Sequence, residues 1–347
     1  AASDVYKRQG LTIDLSAIQA NWKSLADMAP GARAGAVVKA DAYGLGAARV
    51  APALYDAGAR DFFVALASEG RAIRPLLAQD ADIYVLSGHM EGEDLTGLIP
   101  VLNSPEQFFR DRALRPRGAF AIQLDSGMNR LGLEPGEWAA IRAEALAAGP
   151  RLVMSHLACA DEPEHPANAQ QLQAFRAMTD GIGVPRALAA TGGTLLGPDY
   201  HFDLVRLGIG MYGGLPYAEA KPVVGLALPV IQTREVRPGE SVGYGYAWTA
   251  QRPARIATVA AGYADGLFRA LARQGELKLW AGERACPVVG RISMDLITVD
   301  VTQLPFVPDT LDILNERQGV DALADLAGTI GYEILTSLGS RYPRTYR

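Results

Sequence analysis

The sequence predicts an α/β protein in which an N-terminal TIM-like (β/α)8 barrel is followed by a mostly antiparallel β domain. From Ala34 to about residue 208, eight short apolar runs alternate with helix-like segments. Strands that alternate with helices pair in parallel, because a parallel pair needs a crossover connection. Eight such strands fit a barrel, and an open doubly wound sheet is the alternative. No G-x-G-x-x-G follows the first strand, which disfavours the open sheet.

The second observation is a change in the predicted secondary structure after about residue 220. Strand-like runs continue there, while helices are missing until Val320–Ala327, as is typical of antiparallel strands. We therefore divide the chain into a barrel of residues 10–220 and a β domain of residues 221–347. Ala1–Gln9 joins neither pattern, and we interpret this stretch as a non-native leader.

The elements of the first domain follow in chain order. Leu11–Leu15 is a short strand, and Ser16 is the predicted N-cap of a helix that runs through Met28. The predicted barrel strands are Gly35–Lys39, Phe62–Leu66, Ile83–Ser87, Ile99–Asn103, Phe120–Asp125, Leu152–His156, Ala187–Ala190 and Leu204–Gly208. The predicted helices between them are Gly46–Ala57, Glu69–Ala78, Pro105–Arg115, Pro135–Ala148 and Asn168–Asp180. Polar side chains gather where the strands end, which is where barrels place their functional sites.

Composition bears on the class of function. A net charge of -5 gives no electrostatic footprint for nucleic acid. No apolar run approaches the roughly 20 residues that span a bilayer, and no basic-then-apolar signal pattern opens the chain. Two cysteines, Cys159 and Cys286, suit a reducing compartment. We therefore expect a cytoplasmic protein that binds neither nucleic acid nor membranes.

Lys39 is the first candidate for chemistry. It ends an apolar, β-branched run and precedes the turn that carries Tyr43 and Gly44. Desolvation at the end of a buried strand disfavours the ammonium and lowers its pKa. The neutral amine is the form that makes a Schiff base with a carbonyl cofactor. The alternative is that the side chain simply reaches solvent.

Two further strand ends carry an arginine and a histidine. Arg130 lies in the turn Asp125–Gly132, where glycines let the backbone fold close to a ligand, although a solvated surface turn has the same pattern. His156 ends another strand, where a packing role is the alternative to catalysis. Cys159, His165 and the acidic residues between them match no zinc or calcium spacing, so we predict no metal.

The last two barrel strands end in glycine-bearing turns. Thr191 opens the first turn, and Arg206 precedes Gly208, Ile209 and Gly210 in the second. Barrels commonly bind phosphate at these two turns through backbone N–H groups and a hydroxyl. Either turn alone is a weak signal, and the pair indicates a phosphate-bearing ligand.

These segments resemble the motifs of one family, the pyridoxal-phosphate-dependent alanine racemases of fold type III. The stretch V-V-K-A-D-A-Y-G-L-G at residues 37–46 is similar to the family's cofactor-lysine motif. D-S-G-M-N-R-L-G at 125–132 and S-H-L-A at 155–158 resemble two further barrel motifs. The segments that resemble its C-terminal domain are A-G-Y-A-D-G at 261–266, G-R-I-S-M-D at 290–295 and S-R-Y-P-R at 340–344.

The resemblance implies a pyridoxal 5'-phosphate site in the barrel. Lys39 would carry the cofactor, Tyr43 would reach its phosphate, and Arg206 would face its pyridine nitrogen. Arg130 would contact the cofactor's phenolic oxygen and the substrate carboxylate, and His156 would link Arg206 to a catalytic tyrosine. The other cofactor-binding residues that the resemblance implies are Thr191, Gly208 and Ile209.

In the β domain the resemblance implies that Tyr263 is a second acid/base and that Met294 helps to bind the substrate carboxylate. Both would be delivered to the partner's active site, so a homodimer with shared sites is implied. Lys39 and Tyr263 would then interconvert L-alanine and D-alanine by a two-base mechanism, which supplies D-alanine for cell-wall peptidoglycan. The alternatives are a serine or broad-specificity racemase, a decarboxylase of the same architecture, and a non-catalytic cofactor-binding regulator.

Four positions depart from the family's usual residues. Gln123 stands where many relatives have a modified lysine, so an amide must hold Arg130 instead. Ala190 and Leu207 replace an asparagine and a proline, which puts one polar contact to the cofactor in doubt. Ser340 stands where some relatives have a phosphate-contacting tyrosine.

Overall fold

The computed structural model describes residues 10–272 and 275–347, so the predicted leader, residues 1–9, lies outside the described chain. Contacts between Cα atoms divide the chain into two units. The barrel unit comprises Ile18–Ala220, and the β unit comprises Lys221–Arg347 together with the described residues before Ile18.

Eight parallel strands build the barrel unit. After strand β1 (Gly10–Ile13), they are β2 (Arg33–Val37), β3 (Asp61–Val64), β4 (Asp82–Val85), β5 (Ile99–Leu102), β6 (Ala121–Gln123), β7 (Val153–Met154), β8 (Arg186–Ala187) and β9 (Leu204–Leu207). Their order in the sheet is β8-β7-β6-β5-β4-β3-β2-β9. A parallel bridge between Ala190 and Arg206, and the bond from Arg206 N to Ala189 O (2.9 Å), connect the two ends of this sheet. The predicted barrel is confirmed.

Helices separate most of these strands. They are α1 (Leu15–Asp27), α2 (Lys39–Tyr43), α3 (Ala47–Ala57), α4 (Ala67–Ile73), α5 (Pro105–Leu114), α6 (Pro135–Ala147), α7 (Pro166–Thr179) and α8 (Thr191–Leu195). Short 3-10 turns lie at Arg74–Leu76, Pro198–Tyr200 and Ile209–Tyr212. The core between β5, β6 and the helices that follow is aromatic, with Trp138, Phe108 and Phe120 almost completely buried.

The start of α1 differs from the prediction. Asp14, and not Ser16, caps the helix, because Asp14 Oδ1 accepts the Ala17 N–H at 2.9 Å. Ser16 lies inside the first turn and donates its hydroxyl to the same carboxylate at 2.6 Å. Aspartate and serine are both good N-caps, so the sequence pattern could not choose between two candidates two residues apart.

The β unit is mostly antiparallel, as predicted. Its strands are β10 (Val224–Val236), β11 (Ser241–Val242), β12 (Trp248–Thr249), β13 (Ala254–Ala260), β14 (Lys278–Ala281), β15 (Arg284–Pro287), β16 (Leu296–Asp300), β17 (Thr310–Leu314) and β18 (Arg344–Tyr346). Two helices, α9 (Val320–Ala327) and α10 (Gly331–Ser337), and 3-10 turns at Tyr244–Tyr246, Tyr263–Asp265 and Arg269–Ala272 complete it. Strand β10 pairs antiparallel with β1, β13 and β17.

Strand β1 belongs to the β unit, although our sequence division began the barrel at residue 10. It pairs antiparallel with β10 and parallel with β18, so both of its neighbours in the sheet belong to the C-terminal part of the chain. Within the described ranges, no helix is long and apolar enough to cross a bilayer.

Candidate active site

Lys39 begins a left-handed turn instead of ending a strand. Strand β2 stops at Val37, and the four residues after Lys39, Ala40–Tyr43, have φ angles between 53° and 56°. None of them is glycine, and left-handed helical backbone costs an L-residue about 1–2 kcal/mol. Such a conformation persists only where the surrounding contacts hold it, and it marks this segment as a functional candidate.

Two carboxylates hold this turn. Glu69 of α4 accepts the Ala40 N–H through Oε1 at 2.8 Å and a backbone N–H at the end of β3 through Oε2 at 2.7 Å. Asp41 Oδ1 accepts the Ala47 N–H at 2.7 Å, which ties the turn to the start of α3. These bonds fix the backbone from which the Lys39 side chain projects.

The Lys39 amine lies among charged side chains. Burial lowers the pKa of this amine below its ordinary value, and the positive charges of Arg130 and Arg206 lower it further, while Glu69 opposes them. More of the amine is therefore neutral than in an exposed lysine. A neutral amine can attack a carbonyl carbon, which is the chemistry predicted for this residue.

Arg206 of β9 is almost fully buried beside His156. Its Nη2 group donates to the carbonyl oxygens of Ser155 at 2.7 Å and Leu188 at 3.2 Å, and lies 3.3 Å from His156 Nδ1. Burial, followed by the charge of Arg206, lowers the pKa of His156 to about 3, so the imidazole is neutral and can accept from the guanidinium. Burial lowers the pKa of Arg206 to about 9, so this side chain keeps its charge at pH 7.

The other terminal nitrogen of Arg206 has an unfilled position. Nη1 is buried, yet within residues 10–272 and 275–347 no group accepts a hydrogen bond from it. A buried charged donor without an acceptor is costly, so such a group calls for an explanation. An acceptor atom on a bound ligand would provide one.

Thr191, Gly208 and Tyr43 form a small polar cradle next to β9. Buried Thr191 Oγ1 accepts the N–H groups of Gly208 at 3.0 Å and Gly210 at 3.4 Å. A hydroxyl oxygen that accepts two N–H groups still has its own proton to donate. A Cβ atom on Gly208 would lie 2.9 Å from Tyr43 Oη, so glycine lets the phenol approach the backbone closely. Ile209 follows as a buried residue.

Arg130 is exposed on the loop between β6 and α6. The side chain of Gln123 is buried, and its Nε2 donates to Leu131 O at 3.1 Å. Asp125 Oδ1 accepts two backbone N–H groups of the same loop, at 2.7 and 2.9 Å. The Gln123 amide therefore holds the loop by its backbone, one residue beyond Arg130.

Gln171 of α7 is a residue that sequence reasoning missed. Its amide donates to His156 O at 2.9 Å and accepts the Ala158 N–H at 2.8 Å, so it fixes the turn that carries the histidine. No motif surrounds this glutamine, and the same is true of Glu69. A polar residue inside a helix gives no sign in the sequence of which distant turn it will hold.

In the β unit, Tyr263 and Met294 lie on adjoining loops. Tyr263 N donates to Ser293 O at 3.1 Å, and Ala264 N donates to Met294 O at 3.0 Å. The exposed fractions of Tyr263 and Met294 are 42% and 53%. The fold thus gathers the predicted acid/base and substrate-binding residues of this unit, as it gathers the predicted cofactor residues of the barrel unit.

Two family models match the chain: Alanine racemase, N-terminal domain, over residues 13–216, and Alanine racemase, C-terminal domain, over residues 223–346. An alanine racemase from Cereibacter sphaeroides is 63% identical over 341 residues, which cover 97% of either chain.

Solved structures agree with these matches. Alanine racemase from Bartonella henselae with covalently bound pyridoxal phosphate is similar with a TM-score of 0.91 and 36% identity, covering 97% of this chain and 99% of that one. The biosynthetic alanine racemase from Pseudomonas aeruginosa is similar with a TM-score of 0.90 and 38% identity, covering 98% and 99%. From its sequence, its fold and both domain matches, this chain belongs to the alanine racemase family.

Proposed function

We propose that this protein interconverts L-alanine and D-alanine with pyridoxal phosphate, and that Lys39 and Tyr263 are its two acid/base groups. Relatives that are named alanine racemase share 57–63% identity over nearly the full chain, which supports the reaction. The geometric observation that carries the assignment lies in the barrel unit. There, a lysine whose pKa is lowered shares its surroundings with a buried Arg206 that has one nitrogen without an acceptor.

The residues present fit pyridoxal phosphate. Lys39 would bond to its aldehyde carbon, Arg206 Nη1 would donate to the pyridine nitrogen, and Thr191, Gly208, Ile209 and Tyr43 would hold the phosphate. Bound there, the cofactor withdraws electrons from the α-carbon of the amino acid and so acidifies its C–H bond.

Lys39 and Tyr263 would divide the proton transfers between them. Inversion requires that a proton leave one face of the α-carbon and that another arrive on the opposite face, so two groups serve better than one. We assign removal of the proton from D-alanine to Lys39 and from L-alanine to Tyr263. We assign help in the proton transfers of Tyr263 to neutral His156 held by Arg206.

Arg206 would also limit side reactions. A guanidinium donates a hydrogen bond but keeps its proton, so Arg206 would not protonate a pyridine nitrogen. It thereby restricts withdrawal of charge into the ring, and this favours return of a proton to the α-carbon over transamination.

Arg130 and Met294 are the proposed contacts to the substrate carboxylate. The resemblance to the family also supports a homodimer, which we further propose, in which Tyr263 and Met294 of one chain complete the site at Lys39 of the other. We place the protein in the cytoplasm, where its product would supply D-alanine for peptidoglycan. Relative turnover on a panel of amino acids that includes serine checks the preference for alanine.

The experiment that tests this proposal is incubation of the protein with L-alanine in deuterated water. Chirality and α-deuterium are followed together. The parent should yield D-alanine that carries deuterium. Tyr263→Phe should keep the visible absorbance of the bound cofactor and lose racemisation, because the phenol proton is gone while Lys39 remains. Lys39→Ala should lose both. Racemisation of L-alanine by Tyr263→Phe at the parent rate would refute the two-base assignment, and intact absorbance without turnover in the parent would indicate a regulator.

A further inference from the structure

Tyr263 and Met294 are not held in place by burial. About half of each side chain is exposed in the β unit, so packing contributes little to the position of either one. Catalytic groups must nevertheless be held within a fraction of an ångström of their productive geometry. Something other than a hydrophobic core must therefore fix the two loops.

The backbones of the two loops lie unusually close together. A Cβ atom on Gly262 would lie 2.3 Å from the carbonyl oxygens of both Ser293 and Met294, which no side chain tolerates. The bonds from the N–H groups of Tyr263 and Ala264 cross this same contact. The loop of Tyr263 and the loop of Met294 are therefore coupled through this narrow backbone contact.

Arg341, from the segment before β18, bridges the two loops with its side chain. Its Nε donates to Asp265 Oδ1 at 2.6 Å, and its Nη1 donates to Asp295 Oδ1 at 2.8 Å. Asp265 is two residues from Tyr263 in the sequence, and Asp295 is adjacent to Met294. One guanidinium thus links a carboxylate from each loop, a geometry that suits the planar fork of arginine and not the single ammonium of lysine.

Asp265 is the buried end of this bridge. Its side chain is 6% exposed, and its other oxygen, Oδ2, accepts the Gly262 N–H at 2.9 Å. Its carbonyl accepts the Gly339 N–H at 3.1 Å, which brings the segment of Arg341 against the Tyr263 loop. A buried carboxylate deprived of its cation would lose a charge-assisted bond and distort the loop that it caps.

A cavity of about 280 Å³ adjoins the bridge and is lined by Asp265, Asp295, Arg341, Tyr342 and two apolar side chains. The bridge therefore lies at the protein surface, where it adds a side-chain contact to the backbone hydrogen bonds between the two loops.

We propose that Arg341 is a positioning residue, which fixes Tyr263 and Met294 relative to each other by binding Asp265 and Asp295 at once. The proposal rests on the proposed function, because that function gives Tyr263 and Met294 their roles. More than half of the Arg341 side chain is exposed, and its pair with Asp295 is exposed on both sides, so water screens these pairs and limits their contribution to folding stability. Its effect should therefore fall on catalysis.

The test measures racemisation and α-proton exchange separately, starting from each enantiomer in deuterated water. In Arg341→Gln, racemisation in both directions should fall by about 100-fold, the loss expected for a displacement of about 1 Å. Exchange from L-alanine should fall with it, because Tyr263 is displaced. Exchange from D-alanine without inversion should persist, because Lys39 belongs to the other unit and is undisturbed. The amount of bound cofactor should stay at the parent value, and the thermal midpoint should fall only slightly.

Four further variants serve as controls and comparisons for this test. Arg317→Gln removes an exposed arginine of the same unit that pairs with Glu283 at 2.6 Å, and should match the parent. Arg341→Lys should restore only part of the rate, and Asp295→Asn should lose an intermediate amount. The double variant Asp295→Asn/Arg341→Gln should racemise as fast as Arg341→Gln alone, because both changes break the same bridge.

Equal loss of exchange from both enantiomers, or parent-like racemisation by Arg341→Gln, would overturn the positioning role. Tyr263→Phe is measured in parallel to keep the two proposals separate. If Tyr263→Phe still racemises at the parent rate, the two-base assignment in the proposed function fails. If it does not racemise while Arg341→Gln does so at the parent rate, only the role of Arg341 fails.

Discussion

The central property of single residues in the barrel unit is that positive charges surround groups that must act in their neutral forms. Burial and nearby guanidinium groups lower the pKa of Lys39, and the same two causes lower the pKa of His156. Two cations, Arg130 and Arg206, thus lie near an amine and an imidazole, and at the amine their effect together with burial exceeds the opposing effect of Glu69. This arrangement increases the fraction of the amine that is neutral and nucleophilic at a given pH, and it keeps the imidazole neutral so that it can accept a hydrogen bond.

The first prediction at this scale concerns the pH dependence of cofactor attachment to Lys39. Attachment requires the neutral amine, so its rate should rise with pH and level off above the pKa of Lys39, at a midpoint below the usual value for lysine. Arg130→Leu removes a positive neighbour, so the ammonium should persist to higher pH and the midpoint should move upward.

Stopped-flow absorbance of cofactor-free protein mixed with pyridoxal phosphate measures this midpoint. Arg142→Leu serves as the control, because Arg142 lies on α6 and is not among the groups that shift the pKa of Lys39. A midpoint that stayed fixed, or moved downward, in Arg130→Leu would contradict the electrostatic account of Lys39.

At the scale of elements, the turn Lys39–Tyr43 is strained and depends on a residue of another helix. Glu69 accepts N–H groups through both of its oxygens and so holds the Ala40 backbone and the end of β3 together. A glutamine has only one acceptor oxygen in place of two, and its NH2 group would face a second N–H group.

Glu69→Gln should therefore weaken both the fold and cofactor binding. Bonds to charged groups of this kind contribute about 1.5–3 kcal/mol, so the thermal midpoint should fall measurably. The affinity for pyridoxal phosphate should fall as well, because the turn that carries Lys39 and Tyr43 relaxes. Calorimetry and fluorescence titration measure the two effects, with Glu283→Gln as an exposed control. Unchanged cofactor affinity in Glu69→Gln would show that the turn is held by other contacts.

The same turn shows where prediction from sequence reaches its limit. Strands β2 to β9 were predicted because apolar runs alternate with helical segments, and that pattern reflects burial directly. The left-handed backbone of Ala40–Tyr43 was not predicted, since none of these residues is glycine and contacts from residues distant in sequence, such as Glu69, hold the turn. The amide of Gln171 was missed because its partners are chosen by the fold, whereas the cap at Asp14 was missed because a second good N-cap residue, Ser16, lies two residues away.

At the scale of the whole molecule, the candidate residues are divided between two units. The barrel unit supplies Lys39, Arg206 and the phosphate cradle, and the β unit supplies Tyr263 and Met294. Family motifs in both units were needed to predict the function, since neither set alone supports racemisation by two bases. The proposed chemistry nevertheless depends on one covalent attachment of the cofactor, at the Lys39 amine.

The most direct measurement is chemical mapping of that attachment. The protein is loaded with pyridoxal phosphate, reduced with borohydride and digested, and its peptides are identified by mass spectrometry. The account predicts a single modified peptide with the reduced cofactor on Lys39, and no modification at that position in Lys39→Ala. Attachment of the cofactor to another lysine, or to none, would contradict the account.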